Sequence, residues 1–273
     1  MLKRCLELYD DTHEISITFA NTGCEHEETL RFVDAVDKHF AGGRVVWIEG
    51  EFHEHGKGPT AKVVDVKTAA RKGEPFRAAI EKHGVFSRTH PQCTSRLKEE
   101  PMIAYRRSLG WMAGSYDTAI GIRSDECDRM SAKRKEKRFI YPLISEGWTK
   151  QNVNEYMAQY DWDLRLPSDA FGNCVWCWKK SLRKLMTVAK HDPKAFDFPG
   201  EMERWHGWKS NGEPNSKPRT FFRGELSAQD VVTMAQTEDF VEWTDKKFEQ
   251  MEFFHPLMDT GGGCGDSCEI GAD

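Results

Sequence analysis

Read from its first residue, the chain alternates short apolar runs with longer segments of helical spacing. Leu2, Cys5, Leu6 and Leu8 fall at mostly helical intervals and Asp10-Asp11-Thr12 interrupts them, which predicts the last turns of a helix. Ile15 to Ala20 is a β-rich run ending in the polar loop Asn21-Thr22-Gly23. Leu30, Val33, Val36 and Phe40 then define one apolar face of a helix from Glu27 to Phe40.

This unit of strand, polar glycine loop and helix recurs more loosely. Arg44 to Ile48 predicts a second strand, Lys62 to Val66 a third, Pro75 to His83 a helix and Arg96 to Leu109 a longer one. Thr118 to Ile122 predicts a buried strand that ends in the charged loop Arg123-Ser124-Asp125-Glu126. Alternating strands and helices predict an α/β core over residues 1–150, a mainly parallel sheet with helices on both faces. Such sheets bind ligands beyond the carboxyl ends of their strands. The loops after Ala20, before Arg96 and after Ile122 are the expected rim.

Beyond about residue 145 the pattern turns to helices and irregular segments, with Thr149–Tyr160, Lys179–Lys190 and Ala228–Met251 predicted helical. Residues 151–273 are therefore expected to form a helical, cysteine-containing C-terminal region. Gly207 to Pro218 reads as an exposed loop, and the Gly-rich tail from Thr260 as mobile. A parallel sheet normally opens with a strand, whereas this chain opens inside a helix. The expectation is that a strand and loop belong in front of Met1.

Composition narrows the class. The 273 residues carry 39 Lys and Arg against 44 Asp and Glu, a formal net charge of −5, with nine Trp and sixteen Phe. That aromatic content excludes disorder as the main state. No apolar run approaches the roughly 18 residues that span a bilayer, and the charged N-terminus lacks an export signal. A cytoplasmic location with no membrane partner is expected. The net charge excludes global polyanion binding as the main design but leaves room for a local basic patch. Lys133 to Arg138, with five positive charges and one negative, is that patch: a solvated loop, or a guide for a polyphosphate or nucleic-acid partner.

Eight cysteines without an export signal read as thiols, metal ligands or catalytic groups rather than disulfides. The sharpest local signal is Cys174-Val175-Trp176-Cys177, followed by Trp178-Lys179-Lys180. Two thiols at this spacing hold one metal or form a redox pair, or else are two buried small hydrophobes. Cys93 sits in a polar loop before a helix, where a thiolate is favoured. Cys93, Cys174 and Cys177 make three soft ligands, one short of a closed zinc or iron–sulfur site. The fourth is expected from Cys127, a histidine such as His90, the tail, or a substrate. Cys264 and Cys268 form a C-x-x-x-C pair in the tail, either a resolving or sulfur-relay pair or an incidental feature. Cys5 reads as a core-facing helix residue, Cys24 has no supporting context, and His53 and His55 are assigned no role. Arg123, directly after a strand, is placed for a phosphate or sulfate, or sits in an ordinary solvated loop.

Taken together, these segments resemble the phosphoadenosine phosphosulfate (PAPS) reductase family, part of the adenine-nucleotide α-hydrolase-like, PP-loop group. Thr18 to Thr29 is similar to the family's strand, D-T-G loop and helix start. Cys93 to Pro101 is similar to its cysteine, lysine and proline segment, Gly121 to Glu126 to its G-x-R-x-x-E loop, and Tyr141 to Thr149 to its P-L-x-x-W-T element. The resemblance covers roughly residues 15–180.

It implies an adenine-nucleotide-dependent enzyme, an oxidoreductase or sulfurtransferase, using ATP or PAPS. Asn21, Thr22, Gly23, Gly121 and Arg123 would line the nucleotide, and Cys93, Arg123, Cys264 and Cys268 would act in catalysis. Cys93, Cys174 and Cys177 would bind an iron–sulfur cluster of the 4Fe-4S kind, with zinc as the alternative. A thioredoxin-like or cysteine-desulfurase-type donor would be the partner. Three departures qualify this. The family's S-G-G-x-x-S phosphate loop has no counterpart, the tail lacks the E-C-G-x-H motif, and only one of the adjacent cysteines of the iron–sulfur relatives is kept. The alternatives are a nucleic-acid thiolation or phosphorothioation protein and a catalytically inactive, zinc-stabilised binding module.

Overall fold

The computed structural model describes residues 1–53, 58–210, 213–214, 217–237 and 239–244. Its backbone hydrogen bonds sort the strands into small sheets within a mixed α/β fold. In the largest, β1 (Ile17–Ala20) runs parallel to β2 (Val45–Glu51), with Ile17 opposite Val45 and Ala20 opposite Ile48. On the other edge of β2 lies β3 (Thr60–Val64), with Ile48 opposite Val63 and Glu51 opposite Thr60. The third strand expected over Lys62–Val66 is present as β3 and is antiparallel, so this sheet is mixed. Only residues 52–59 separate the two strands, fewer than the dozen or so that a parallel crossover needs.

A second sheet pairs β4 (Thr118–Ala119) in parallel with β5 (Phe139–Ile140). The strand expected over Thr118–Ile122 is thus only two residues long and half-buried. Inside the predicted loop 207–218, β6 (Lys209–Ser210) and β7 (Glu213–Pro214) make an antiparallel pair.

The helices follow the apolar periodicity closely. α1 (Leu2–Tyr9) buries Cys5, as expected of a core-facing position. α2 (Glu27–Val36) opens with Glu27 and Glu28, which favour the positive N-terminal end, and His26 accepts from the Glu28 N–H. It continues as a wide π turn, Asp37–Ala41, stopped by Gly42 in the left-handed region. α3 (Glu74–His83) carries Pro75 in its first turn, where the missing N–H is harmless.

The predicted helix Arg96–Leu109 is a π turn over Ser95–Glu99 followed by α4 (Glu100–Ser108). Pro101 has no N–H to offer the carbonyl four residues back, so the ladder widens there. After α5 (Pro142–Ser145) and α6 (Lys150–Met157), α7 spans Leu182–His191 and is capped by Ser181. The helix expected from Lys179 starts later because Lys179 and Lys180 belong to the preceding turn. α8 (Asp197–His206) and α9 (Ala228–Thr237) complete the described helices; of the rest of the helix expected to Met251, residues 239–244 have no regular secondary structure and the remainder lies outside the described residues.

Among the described residues two hydrophobic clusters form the core. The smaller joins Leu30 of α2 to Trp47 of β2, with Phe19 edge-on to Trp47 at 4.9 Å. The larger is built around Trp176. Its ring lies 5.0 Å from Phe76 and 5.0 Å from Phe221, and stacks on Phe198 at 5.5 Å. Trp176, one of the two residues between the cysteines of the C-x-x-C segment, therefore anchors that core.

Candidate functional site

Beyond β1 the chain enters a fully buried polar loop. The Asn21 N–H extends the strand by donating to the Ile48 carbonyl at 2.9 Å. Its Nδ2 donates to Glu49 Oε1 at 2.7 Å and to the Ala70 carbonyl at 2.9 Å, while its Oδ1 accepts from the Gly23 N–H at 3.2 Å. Glu49 also accepts from the Ala70 N–H at 2.6 Å, so a buried carboxylate is held by two donors.

Glu25 folds back over the same loop. Its carboxylate accepts from the Thr22 N–H at 3.1 Å, the Thr22 hydroxyl at 2.8 Å and the Cys24 N–H at 3.2 Å. Backbone N–H groups converging this way form an anion-binding concavity, and here Glu25 is the anion. A ligand phosphate using these amides would have to displace it. Gly23, at φ 77°, closes the loop by offering its carbonyl to the Gly73 N–H at 2.9 Å.

The C-x-x-C segment docks directly on this loop. The Val175 N–H donates to the Cys24 carbonyl at 3.0 Å, an antiparallel bridge that sets Glu25 opposite Cys174. The Thr22 Oγ1 stands 3.4 Å from the Cys174 sulfur. Two successive turns, Cys177 N–H to Cys174 carbonyl and Lys180 N–H to Cys177 carbonyl, both 3.0 Å, wrap the segment tightly. Asn173 enters it in the left-handed conformation that Asn tolerates.

Lys180 lies beneath these turns. Its ammonium donates to the carbonyls of Cys174 at 3.0 Å and Val175 at 2.6 Å. Burial pushes its pKa down to about 8, against the opposing pull of the Cys177 and Cys174 sulfurs. Cys24 is also buried, and desolvation first, then the neighbouring Cys174, holds its thiol well above the ordinary range. Cys24 is the participant that sequence reasoning missed. The only available signal was its place immediately after the strand-end glycine.

Cys93 is half-buried and packs against the core that also contains Cys24, Cys174 and Cys177. Three polar atoms around these segments are buried with no hydrogen-bond partner among the described residues: His90 Nε2, Thr94 Oγ1 and Trp178 Nε1. Even so, no group of three or more His, Cys, Asp or Glu side chains among the described residues is arranged to hold a metal ion. Cys127 is exposed on a 3-10 turn over Ser124–Arg129, and Cys264 and Cys268 lie outside the described residues.

Arg123 ion-pairs within its own loop, its Nε 3.1 Å from Asp125 and its Nη2 3.3 Å from Glu126. An anion at Arg123 would compete with both carboxylates. The α-carbon of Gly121 faces the Met1 side chain, whose sulfur would lie 3.3 Å from an added Cβ. His53 bonds Thr60 at 2.7 Å, and His55 lies outside the described residues. Within the basic run, Arg138 pairs with Asp117 at 2.9 Å while Lys133, Arg134 and Lys135 are exposed.

No protein-family model and no solved structure matches this chain. Two proteins are similar to it in sequence. A protein of Escherichia phage lambda, described as an uncharacterized nin region protein, is 27% identical over 261 residues, covering 94% of this chain and 86% of its own length. An uncharacterized protein of Methanocaldococcus jannaschii is 21% identical over 212 residues, covering 72% of this chain. The chain spans 38% of that archaeal protein. Among the described residues no helix is long and apolar enough to cross a membrane.

Proposed function

We propose that the chain is a nucleotide-dependent enzyme of the PAPS reductase type, carrying out thiol or sulfur chemistry on an adenylated or sulfated substrate. The observation that carries this reading is the 3.4 Å approach of the Thr22 hydroxyl to the Cys174 sulfur. It joins the loop that the resemblance gives to the nucleotide to the segment that it gives to sulfur, across 152 residues of chain. The parallel β1 and β2, with the loop at the carboxyl end of β1, supply the setting in which α/β folds place ligands. The finer architecture proposed is a nucleotide-binding sheet covered by helices on both faces.

In this reading the substrate's nucleotide approaches the Asn21–Gly23 loop and a thiolate of the adjoining cluster attacks the reacting sulfur, with the nucleotide phosphate as leaving group. A second thiol closes a disulfide and releases the reduced sulfur product; a thioredoxin-like dithiol then restores both thiols. Lys180 would favour the thiolate form by charge.

Equilibrium binding of ATP and of PAPS to the chain tests the nucleotide part, followed by single-turnover assay of Cys174→Ser under anaerobic conditions. Saturable binding of either nucleotide, with turnover lost in Cys174→Ser while binding persists, is the expected result. Binding of neither nucleotide would remove the proposal. The exposed Lys133–Lys135 segment favours, as a second reading, modification of nucleic acid. Binding to DNA or RNA that falls steeply with salt and weakens when these residues become Ser would support it.

A further inference from the structure

A cavity of about 360 Å³ lies between the Ser87–His90 turn and the segment 217–225. Among the described residues, the cationic side chains of Arg88, Lys217, Arg219 and Arg223 line it together with one carboxylate, Glu225, which is itself paired with Lys217. In a chain of net charge −5 this is a local reversal of sign. Ser87, Thr89 and Thr220 also line it, with the Ser87 and Thr89 hydroxyls hydrogen-bonded to each other at 3.0 Å. Guanidinium forks interspersed with hydroxyl donors are the chemistry that recognises a tetrahedral oxyanion.

Both walls are built rather than incidental. Ser87 and His90 exchange backbone hydrogen bonds at 3.2 and 3.0 Å, presenting Arg88 and Thr89 at the tip of a tight turn. The facing loop is pinned by the buried Phe221 and Phe222, and by Glu203, whose carboxylate accepts from the Phe221 N–H at 2.8 Å and the Ala228 N–H at 2.9 Å. At its rim, Gly224 and Glu225 both take the left-handed conformation, which is uncommon for Glu. The walls are also continuous with the cysteine segments. The Ser87–His90 turn leads into Cys93, and Arg223 Nη2 donates to the carbonyl of Lys179, two residues beyond Cys177, at 3.0 Å.

We propose that this cavity binds the phosphate or sulfate group of a small anionic metabolite, as an oxyanion site separate from the Asn21–Gly23 loop. Its concave form and modest volume suit a molecule of nucleotide size or below rather than the extended backbone of a nucleic acid. The assignment goes beyond the nucleotide reading above and stands without it.

The test uses the whole chain, with inorganic phosphate, sulfate and pyrophosphate as probes at ionic strength matched by chloride. Calorimetry should give saturable binding of at least one probe, and Arg88→Gln combined with Arg219→Gln should weaken it at least about tenfold, the scale of one lost charged hydrogen bond. Arg88→Gln alone, at an exposed turn tip, keeps the test valid if the double variant folds poorly. It should also weaken binding, whereas Lys135→Gln should not. No saturable binding, or binding unchanged by these substitutions, overturns the proposal. So does binding of a short DNA oligomer that the double variant abolishes while no inorganic probe binds. If ATP and PAPS fail to bind but pyrophosphate does, the nucleotide reading falls and this one stands.

Discussion

The Lys180 ammonium donates to the Cys174 carbonyl at 3.0 Å from beneath the turns that carry two buried thiols. A buried ammonium is costly by itself, which is why its pKa falls to about 8. Between about pH 8 and 10.5 the unfolded chain holds the proton that the folded chain has released. The contribution of this group to stability therefore rises with pH across that window and is level below it. Chemical denaturation of wild type and Lys180→Met from pH 7.5 to 10.5 should show the wild type gaining on the variant, by up to about 3 kcal/mol. A constant difference over this range would show that Lys180 is not buried in its charged form.

Glu203 behaves in the opposite sense. Burial raises its carboxyl to about 7, despite the two backbone N–H groups it accepts from. The folded chain then binds a proton that the unfolded chain lacks between about pH 4.5 and 7, so this contribution is greatest below pH 4.5 and is lost as pH rises to 7. Urea unfolding of wild type against Glu203→Gln should show the wild type's relative stability falling by up to about 3 kcal/mol over that interval. A gap that widens toward pH 7 would mean that the two N–H groups outweigh burial.

How far the molecule was legible in the sequence depended on the range of the interaction concerned. β1, α2 and β2 were legible because Leu30, Val33 and the run Val45–Ile48 record burial locally. The direction of β3 was not recorded by its own residues, since alternation is the same in either direction; the length of the 52–59 connection decided it. β5 follows a charged run and is two residues long, too little to leave a period. In the candidate site, the loop and the C-x-x-C segment were each visible, but the pairing of Cys24 with Val175 is a tertiary event. The basic cavity was invisible for the same reason: Arg88 and the segment 217–225 meet only in the fold.

Gly23 offers a steric test of that tertiary arrangement. At φ 77° it occupies backbone space that disfavours any side chain, and an added Cβ would lie 3.0 Å from the Gly73 nitrogen and 3.1 Å from its α-carbon. Both neighbours are backbone, so they yield poorly. Gly23→Ala should lose about 2–4 kcal/mol by thermal or urea unfolding, from overpacking together with left-handed strain. The loop's hold on Gly73 should loosen with it, seen as faster amide exchange at Gly73. Unchanged stability would indicate that the close approach of the two glycines does not persist in solution.

Charge in the same loop can be tested as well. Asn21 stands where the resembled D-T-G loop carries Asp, and its Nδ2 lies 2.7 Å from the buried Glu49 carboxylate. Asn21→Asp replaces that donor with a second carboxylate while preserving shape. Two ionised carboxylates at this separation repel strongly, so the folded variant retains a shared proton that its unfolded chain releases above about pH 4. The folded state then binds the extra proton, and the variant's stability must fall as pH rises above 4 relative to wild type. Near pH 4 the two proteins should differ little; at pH 7.5 the variant should be less stable by about 3–5 kcal/mol, the cost of retaining a proton over about three pH units, even with the Lys62 ammonium 3.9 Å from Glu49. Unfolding midpoints measured at both pH values decide it. A variant equally stable at both, or more stable at pH 7.5, would show that Glu49 finds another donor and that Asn21 is not what keeps the loop closed.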